Sequence, residues 1–232
     1  MQETIRSNLE VIREKIASAA ERSGRRVEDI TLIAVSKMHP AEDVDAAALC
    51  GVTDFGENKV QELTGKQALV RSRVNWHLIG HLQTNKVKNV IGRVCLIHSV
   101  DSLRLAEEID KRSAAAGTVT DILLQVNAAG EESKFGLCVK DAEALAYRLQ
   151  EGFDSIRLRG LMQIAPYSED PEDIRGYLRE VAELYSKLKN GGVSDLDILS
   201  MGMSHDFETA IEEGATHVRI GTSIFGQRDY SK

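Results

Sequence analysis

Eight short apolar runs, each followed by chain able to form a helix, recur along this sequence, and that alternation constrains the fold more than any other feature. The runs are Thr31–Val35, Val52–Phe55, Asn75–Ile79, Leu96–Val100, Ile122–Val126, Leu158–Met162, Asp197–Ser200 and His217–Ile220. Short stretches rich in β-branched and aliphatic residues read as strands. Leu32–Val35 and Ile122–Val126 lack polar alternation, as strands covered on both faces do. Helical spacing falls between them at Val44–Leu49, Lys59–Leu69, Asn85–Ile91, Leu103–Ala116, Ala142–Leu149, Ile174–Leu188 and Asp206–Glu212. A further helix comes first: Ile5, Leu9, Ile12 and Ile16 form one apolar stripe that ends at Ser23-Gly24. The 200 residues from Thr31 to Tyr230 leave about 25 per strand–helix unit, with no linker or composition shift between units. The pattern predicts an α/β fold, a single TIM (βα)8 barrel over residues 1–232 with an extra N-terminal helix, 1–24, packed on it. A doubly wound open sheet is the alternative, because a strand count read from one sequence can be off by one or two.

A chain of 232 residues can bury roughly 70% of its unfolded surface and needs no disulfide or metal staple. The net charge of −7 argues against nucleic acid or an anionic membrane as partner. Cys50, Cys95 and Cys138 are far apart and odd in number, which suits buried reduced thiols in a cytoplasmic protein better than a disulfide framework. Charges fill Met1 to Lys15 and no apolar run approaches 18 residues, so neither a signal peptide nor a membrane span is expected.

Barrels place their chemistry at the C-terminal ends of the strands. Lys37 follows the first strand directly; burial there disfavours the ammonium form and would make the amine a Schiff-base nucleophile, whereas a lysine in open water at the rim would do nothing. Gly56-Glu57-Asn58 follows the second strand, with Glu57 free to cap a helix or bind a donor and Asn58 to position a ring or lysine. His77 and His81 share the spacing of helical zinc ligands, but a strand and Gly80 separate them and no His-Glu-x-x-His pattern exists. Mouth-facing hydrogen bonding is expected of His77, and a loop position of His81; no metal is expected. Ser200-Met201-Gly202-Met203-Ser204 and Gly221-Thr222-Ser223 follow the last two strands. Small residues at these two places expose backbone N–H groups, the commonest phosphate cradle of barrels. Arg219, inside an apolar strand, must either pair with a buried carboxylate or face a ligand. Met162-Gln163 and Pro166-Tyr167 end strand six where they would line the mouth, and the loop with Lys134 and Gly136 reads as ordinary surface.

Together, Ala34-Val35-Ser36-Lys37, Phe55-Gly56-Glu57-Asn58, Trp76-His77-Leu78-Ile79-Gly80, Phe135-Gly136-Leu137, Gly160-Leu161-Met162, Ser200-Met201-Gly202-Met203-Ser204-x-Asp206 and Arg219-Ile220-Gly221-Thr222-x-Ile224-Phe225-Gly226 resemble the pyridoxal phosphate homeostasis protein family, also called YggS-like or proline synthase co-transcribed proteins. The resemblance is colinear from Ile30 to Gly226. It implies a barrel similar to the N-terminal domain of alanine racemase, with pyridoxal 5'-phosphate (PLP) held as a Schiff base on Lys37. By motif position, Ser200, Gly202, Met203 through its backbone, Ser204, Gly221 and Thr222 would surround the phosphate. Arg219 would face the pyridine nitrogen, and Asn58, His77 and Met162 would lie near the cofactor. Lys59 and Met38 stand where many relatives have an aromatic residue and threonine. The implied role is in vitamin B6 and amino-acid homeostasis, cytoplasmic and monomeric, without established catalysis. An arginine is unable to accept a proton from the ring nitrogen and so makes the cofactor a weaker electron sink. Racemases of similar fold also carry a second, β domain that a chain ending at Lys232 is expected to lack. A slow PLP-dependent racemase and an adaptor for PLP-dependent apoenzymes are the two competing readings.

Overall fold

Eight parallel strands close on themselves in chain order, each hydrogen-bonded to the next and β8 back to β1. The computed structural model describes residues 2–131 and 133–226; Met1, Glu132 and 227–232, including the Tyr230 that ends the alternation read from sequence, lie outside the described residues. The strands are β1 (Thr31–Val35), β2 (Asp54–Glu57), β3 (Asn75–Leu78), β4 (Leu96–Val100), β5 (Thr120–Val126), β6 (Ile156–Gln163), β7 (Ile198–Ser200) and β8 (His217–Ile220). Helices α1 (Gln2–Arg22), α2 (Ala41–Leu49), α3 (Val60–Gln67), α4 (Leu103–Ala115), α5 (Val139–Arg148), α6 (Arg175–Asn190), α7 (Phe207–Glu212) and the single turn α8 (Thr222–Phe225) surround them. The barrel and the extra N-terminal helix are as the alternation predicts, and the open-sheet alternative falls with the β1–β8 pairing. No helix among the described residues is long and apolar enough to cross a membrane.

Local chemistry accounts for the departures from the predicted elements. The segment after β3 is a 3-10 turn, Thr84–Asn89, rather than an α-helix; Thr, Asn and Val are weak helix formers, and Val87 is the one residue of the turn that enters the core. Asp170 begins the turn Pro171–Ile174 by accepting from the Glu172 N–H at 2.9 Å, and that turn leads into α6. The thiols expected to be buried are not: Cys50 is half-buried, and Cys95 and Cys138 are exposed free cysteines at element ends.

Outward-facing strand residues such as Ala34, Phe55, Leu78 and Ile97 join the helices in one continuous core. Into it α1 sends Ile5, Leu9, Ile12 and Ile16, each contributing roughly 1.5–3 kcal/mol on burial. Asn8 Nδ2 donates to Ile224 O at 2.9 Å and Arg22 pairs with Glu212 at 2.8 Å, so α1 lies against α8 and α7. Inside the barrel Leu96, Leu123, Met162 and Ile198 form a small apolar cluster, Ile33 and Ile79 flank Gly56, and polar side chains share the remaining space.

The pairing of β5 with β6 shifts register between Ile122 and Leu123, where Gly160 replaces Arg159 in the ladder. Gly160 has φ +152°, and a Cβ there would collide with the Ile198 carbonyl of β7. Gly160→Ala is therefore expected to lower the unfolding free energy by about 3 kcal/mol or more. Gly176→Ala, in a helix with open space around it, should raise it by about 0.5 kcal/mol. Urea titrations of the two variants test the pair, and equal effects would contradict the bulge.

Candidate functional site

At the C-terminal ends of the strands lies a cavity of about 200 Å³ lined by Lys37, Asn58, Met203, Ser204, Arg219, Gly221 and Thr222 together with Val35, Ile79, Ile164 and His205. Seven of the residues singled out from sequence thus share one wall. A second cavity of about 210 Å³ adjoins it through Ile164, Met203 and His205 and carries Lys134 and Tyr167. A larger one, about 640 Å³, lies at the other end of the barrel beside α1, with Asp54 on its wall; it holds none of the residues of the strand C-termini.

The turn that carries Lys37 is pinned from below. Ser36 Oγ donates to Glu57 Oε1 at 2.6 Å, and Lys66 Nζ donates to the same oxygen at 2.7 Å, to Ser36 O at 2.5 Å and to Glu62 Oε1 at 2.8 Å. The Met38 N–H is held by Glu62, and Met38 has φ +65°, a conformation costing roughly 1–3 kcal/mol in a non-glycine residue. Burial pushes the Glu57 carboxyl up from its ordinary range while Lys66 pulls it down. The free donor of Glu57 expected from sequence is thus Lys66, under α3 and behind the cavity wall.

The loop after β7 is tied to β8 and α7. Arg219 N–H donates to Gly202 O at 3.0 Å, and the Met203 N–H donates to Asp206 Oδ1 at 2.6 Å. Gly202 has φ +87°, and a Cβ there would meet Ala210 Cβ at 2.7 Å and Phe207 Cα at 2.8 Å. Only glycine lets α7 close on this loop.

Below the cavity the barrel interior carries one hydrogen-bonded series. Arg219 is 4% exposed; its Nη1 donates to Ser200 Oγ at 2.6 Å and its Nη2 to Gln163 O at 2.7 Å. Ser200 Oγ lies 3.0 Å from His98 Nδ1, His98 Nε2 lies 3.0 Å from His77 Nδ1, and His77 Nε2 lies 3.0 Å from Asp54 Oδ1. His77, expected at the mouth, therefore sits deeper. It occupies an inward position of β3 below Ile79, and its hydrogen bonds run to His98 on the adjacent β4 and to Asp54, the first residue of the adjacent β2. Ser200 is wholly buried, its hydroxyl spent on His98 and Arg219, and Met162 fills the barrel interior rather than the cavity wall. His81 is a loop residue as expected, 3.3 Å from Asp101 and stacked on Phe135, so it does not share a ligand set with His77. Asp54, His77 and Cys95 bring their donor atoms within 4.8 Å of one another, but hydrogen bonds account for that approach: His77 Nε2 to Asp54, and Cys95 Sγ to Trp76 O at 3.2 Å, the same Sγ lying 3.3 Å from His77 Nε2.

The comparisons with known proteins match this geometry. Residues 4–229 match the family described as alanine racemase, N-terminal domain. The pyridoxal phosphate homeostasis protein of Aquifex aeolicus is 47% identical over 219 residues, 94% of this chain and 95% of its own. That of Escherichia coli is 42% identical, covering 98% of both chains. The chain belongs to the pyridoxal phosphate homeostasis protein family. Among solved structures, a protein of Bifidobacterium adolescentis superposes with TM-score 0.92 at 35% identity, covering 97% of this chain and 95% of that one. PipY of Synechococcus elongatus, solved with PLP bound, gives 0.80 at 36% identity, with 93% of this chain and 100% of that one. An alanine racemase of Clostridium difficile gives 0.75 at 17% identity, covering 99% of this chain and 58% of that one, and shares the fold.

Sequence reasoning in this family member missed His98, Lys66 and Asp54. A histidine in the run Leu96-Ile97-His98 was the available signal, since a polar side chain in a buried strand needs partners. Burial pushes His98 well below its ordinary value and His217 down to about 4, with His77 adding to both; Asp54 is held down at about 2, burial pushing it up but hydrogen bonds from His77, Thr53 and Asn75 outweighing it. His217 thus binds a proton in the unfolded chain and not in the barrel between pH 6.5 and 4. Its contribution is fully present above pH 6.5 and is lost as pH falls. Glu57 and Asp206, both pushed up by burial, oppose this trend, so a variant isolates it. From pH 7.5 to 5.0 the unfolding free energy of the native sequence should fall about 2 kcal/mol further than that of His217→Gln. Parallel losses in urea titrations would contradict a neutral buried His217.

Proposed function

We propose that this chain binds pyridoxal 5'-phosphate at the mouth of the barrel, attached to Lys37 Nζ, and holds it as an intracellular reservoir or carrier rather than turning over a substrate. The observation that carries the reading is the single cavity that gathers Lys37, Arg219, Ser204, Gly221 and Thr222. An amine, an arginine and small residues with free backbone donors are the groups an aldehyde, a pyridine ring and a phosphate require. The residues fit the group: the β7 loop and the start of α8 stand together, and a Cβ on Gly221 would press on Val35 O at 3.1 Å, narrowing the wall on which a phosphate would rest.

When bound, the cofactor supplies an aldehyde for an amine and a ring that withdraws electrons. Lys37 provides the amine from a turn held by Lys66 and Glu62. Ser204 and Thr222, with the backbone of Gly221, would hold the phosphate, Gly202 and Met203 would shape that loop with the Met203 N–H given to Asp206, and Asn58 would stand beside the ring. Arg219 would face the ring nitrogen. Its guanidinium, lowered by burial to about 10, stays charged at neutral pH and only donates, so it leaves that nitrogen unprotonated and the ring a modest electron sink. Met162, Ser200 and His77 support this wall from beneath.

Names and structures support the same reading: relatives at 42–47% identity are pyridoxal phosphate homeostasis proteins, and PipY was solved with and without PLP. The reading extends to a cytoplasmic, monomeric barrel of residues 1–232, with PLP-dependent apoenzymes as recipients and neither nucleic acid nor membrane as partner.

Borohydride reduction of the PLP-loaded protein followed by peptide mass mapping tests the attachment. A pyridoxyl group on Lys37, absent from Lys37→Ala, is the expected result; an adduct elsewhere or none would overturn it. Exchange of an amino acid's α-proton in deuterated water at an enzymatic rate would replace the carrier by a racemase-like enzyme.

A further inference from the structure

Five side chains from five different strands form an unbroken series from Arg219 to Asp54, and the chemistry of its two ends fixes every proton between them. Arginine only donates. Asp54, held ionised by its neighbours, only accepts. Arg219 Nη1 therefore donates to Ser200 Oγ, which leaves the Ser200 hydroxyl proton for His98 Nδ1. A bare Nδ1 on neutral His98 places its proton on Nε2, which donates to His77 Nδ1. His77 then carries its proton on Nε2 and donates to Asp54. The reverse order would set a bare His77 Nε2 against the Asp54 carboxylate, or put a second cation into the interior that already holds Arg219. The middle of the series is buried: His77 is 3% exposed and His98 and Ser200 are not exposed at all. The charged ends each reach a cavity wall, Arg219 at the mouth and Asp54 at the base.

We propose that His98 is a positioning residue for Arg219: by accepting the Ser200 proton it turns the serine lone pairs to the guanidinium, and His77 and Asp54 hold His98 in the one tautomer that can do so. A serine left to rotate would offer its proton to the cation on some occasions and its lone pair on others. The series removes that choice from 0% exposed Ser200, so Arg219 meets an acceptor at all times. The consequence for a bound pyridine nitrogen rests on the PLP reading; the donor order and its hold on Arg219 do not.

Nitrogen-15 NMR of the histidine rings and of the Arg219 guanidinium, on the full chain stripped of cofactor, tests the order directly. Neutral His77 and His98, each protonated at Nε2 and bare at Nδ1, with slowly exchanging Arg219 Nη signals, is the expected result. A neutral His98 protonated at Nδ1, or a doubly protonated His77 at pH 7.5, would overturn it. Two variants then separate positioning from packing. His98→Leu should lose the slow Arg219 signals and weaken PLP binding, read by absorbance titration, about tenfold. Asp54→Leu, at the base and touching no mouth residue, should scramble the His98 tautomer and shift the bound-PLP absorption, whereas Asp54→Asn, which keeps an acceptor oxygen, should restore both. An Asp54→Leu protein with unchanged His98 and Arg219 signals would show that the far end has no hold on the mouth. If the native protein shows the expected signals but binds no PLP, the cofactor reading fails and the positioning of Arg219 stands.

Discussion

A guanidinium buried at the mouth of a barrel is the constraint from which most of this interior follows. Taking such a charge out of water costs several kcal/mol unless its donors are met. Here Arg219 is met by the Gln163 carbonyl and the Ser200 hydroxyl, and the hydroxyl in turn demands a partner. The demand is passed through His98 and His77 to the Asp54 carboxylate at the opposite end, while Asp206 is the carboxylate whose charge acts on the guanidinium. A barrel of this size normally fills its interior with layers of branched aliphatic side chains. This one keeps Leu96, Leu123, Met162 and Ile198 as an apolar cluster, with Ile33 level with Arg219 in the β1–β8 register, and runs among them a polar series in which each side chain bonds the next.

The second buried charge pair works on the backbone rather than on a side chain. Lys66 and Glu57 are almost fully enclosed, and removing Lys66 would leave the Glu57 carboxyl without its cation at a cost of about 3–5 kcal/mol. Their geometry gathers Ser36, the Met38 turn and Glu62 around one ammonium group. The strain of a left-handed Met38 is thus held by contacts on the helix side of the sheet, outside the cavity, leaving the cavity face of the turn to Lys37. Rigid elements also define the opposite wall, where Gly202 lets α7 close on the β7 loop and the Arg219 backbone ties that loop to β8. Hydrogen bonds and close packing within the chain hold the mouth in shape, and a rigid site lowers the ordering cost of binding.

Much of this was legible in the residues. The strand–helix alternation determined the barrel, because buried parallel strands are short, apolar and separated by helical chain, and that signature is local. The stripe Ile5, Leu9, Ile12 and Ile16 determined α1 for the same reason. The rule that barrels place chemistry after their strands, together with the resemblance, brought Lys37, Asn58, Met203, Ser204, Arg219, Gly221 and Thr222 to one cavity wall. The 3-10 turn at Thr84–Asn89 differs from the helix its spacing predicts, since weak helix formers fill it and Val87 alone of its residues is buried.

What sequence left open was depth and direction. His77 and Ser200 were read as neighbours of a ligand because each stands by a strand end. Which rung of a staggered barrel faces the mouth depends on the register of all eight strands, and no local pattern encodes that register. The partners of Arg219 were equally undecided: the chain names a buried arginine, but the acceptors that meet it come from positions 56 and 19 residues away, and the carboxylate that ends the series from β2. Composition and periodicity determined the fold and the side of it that carries chemistry. Only the closed sheet, by bringing five strands around one axis, decided which polar groups satisfy one another and which remain for a ligand.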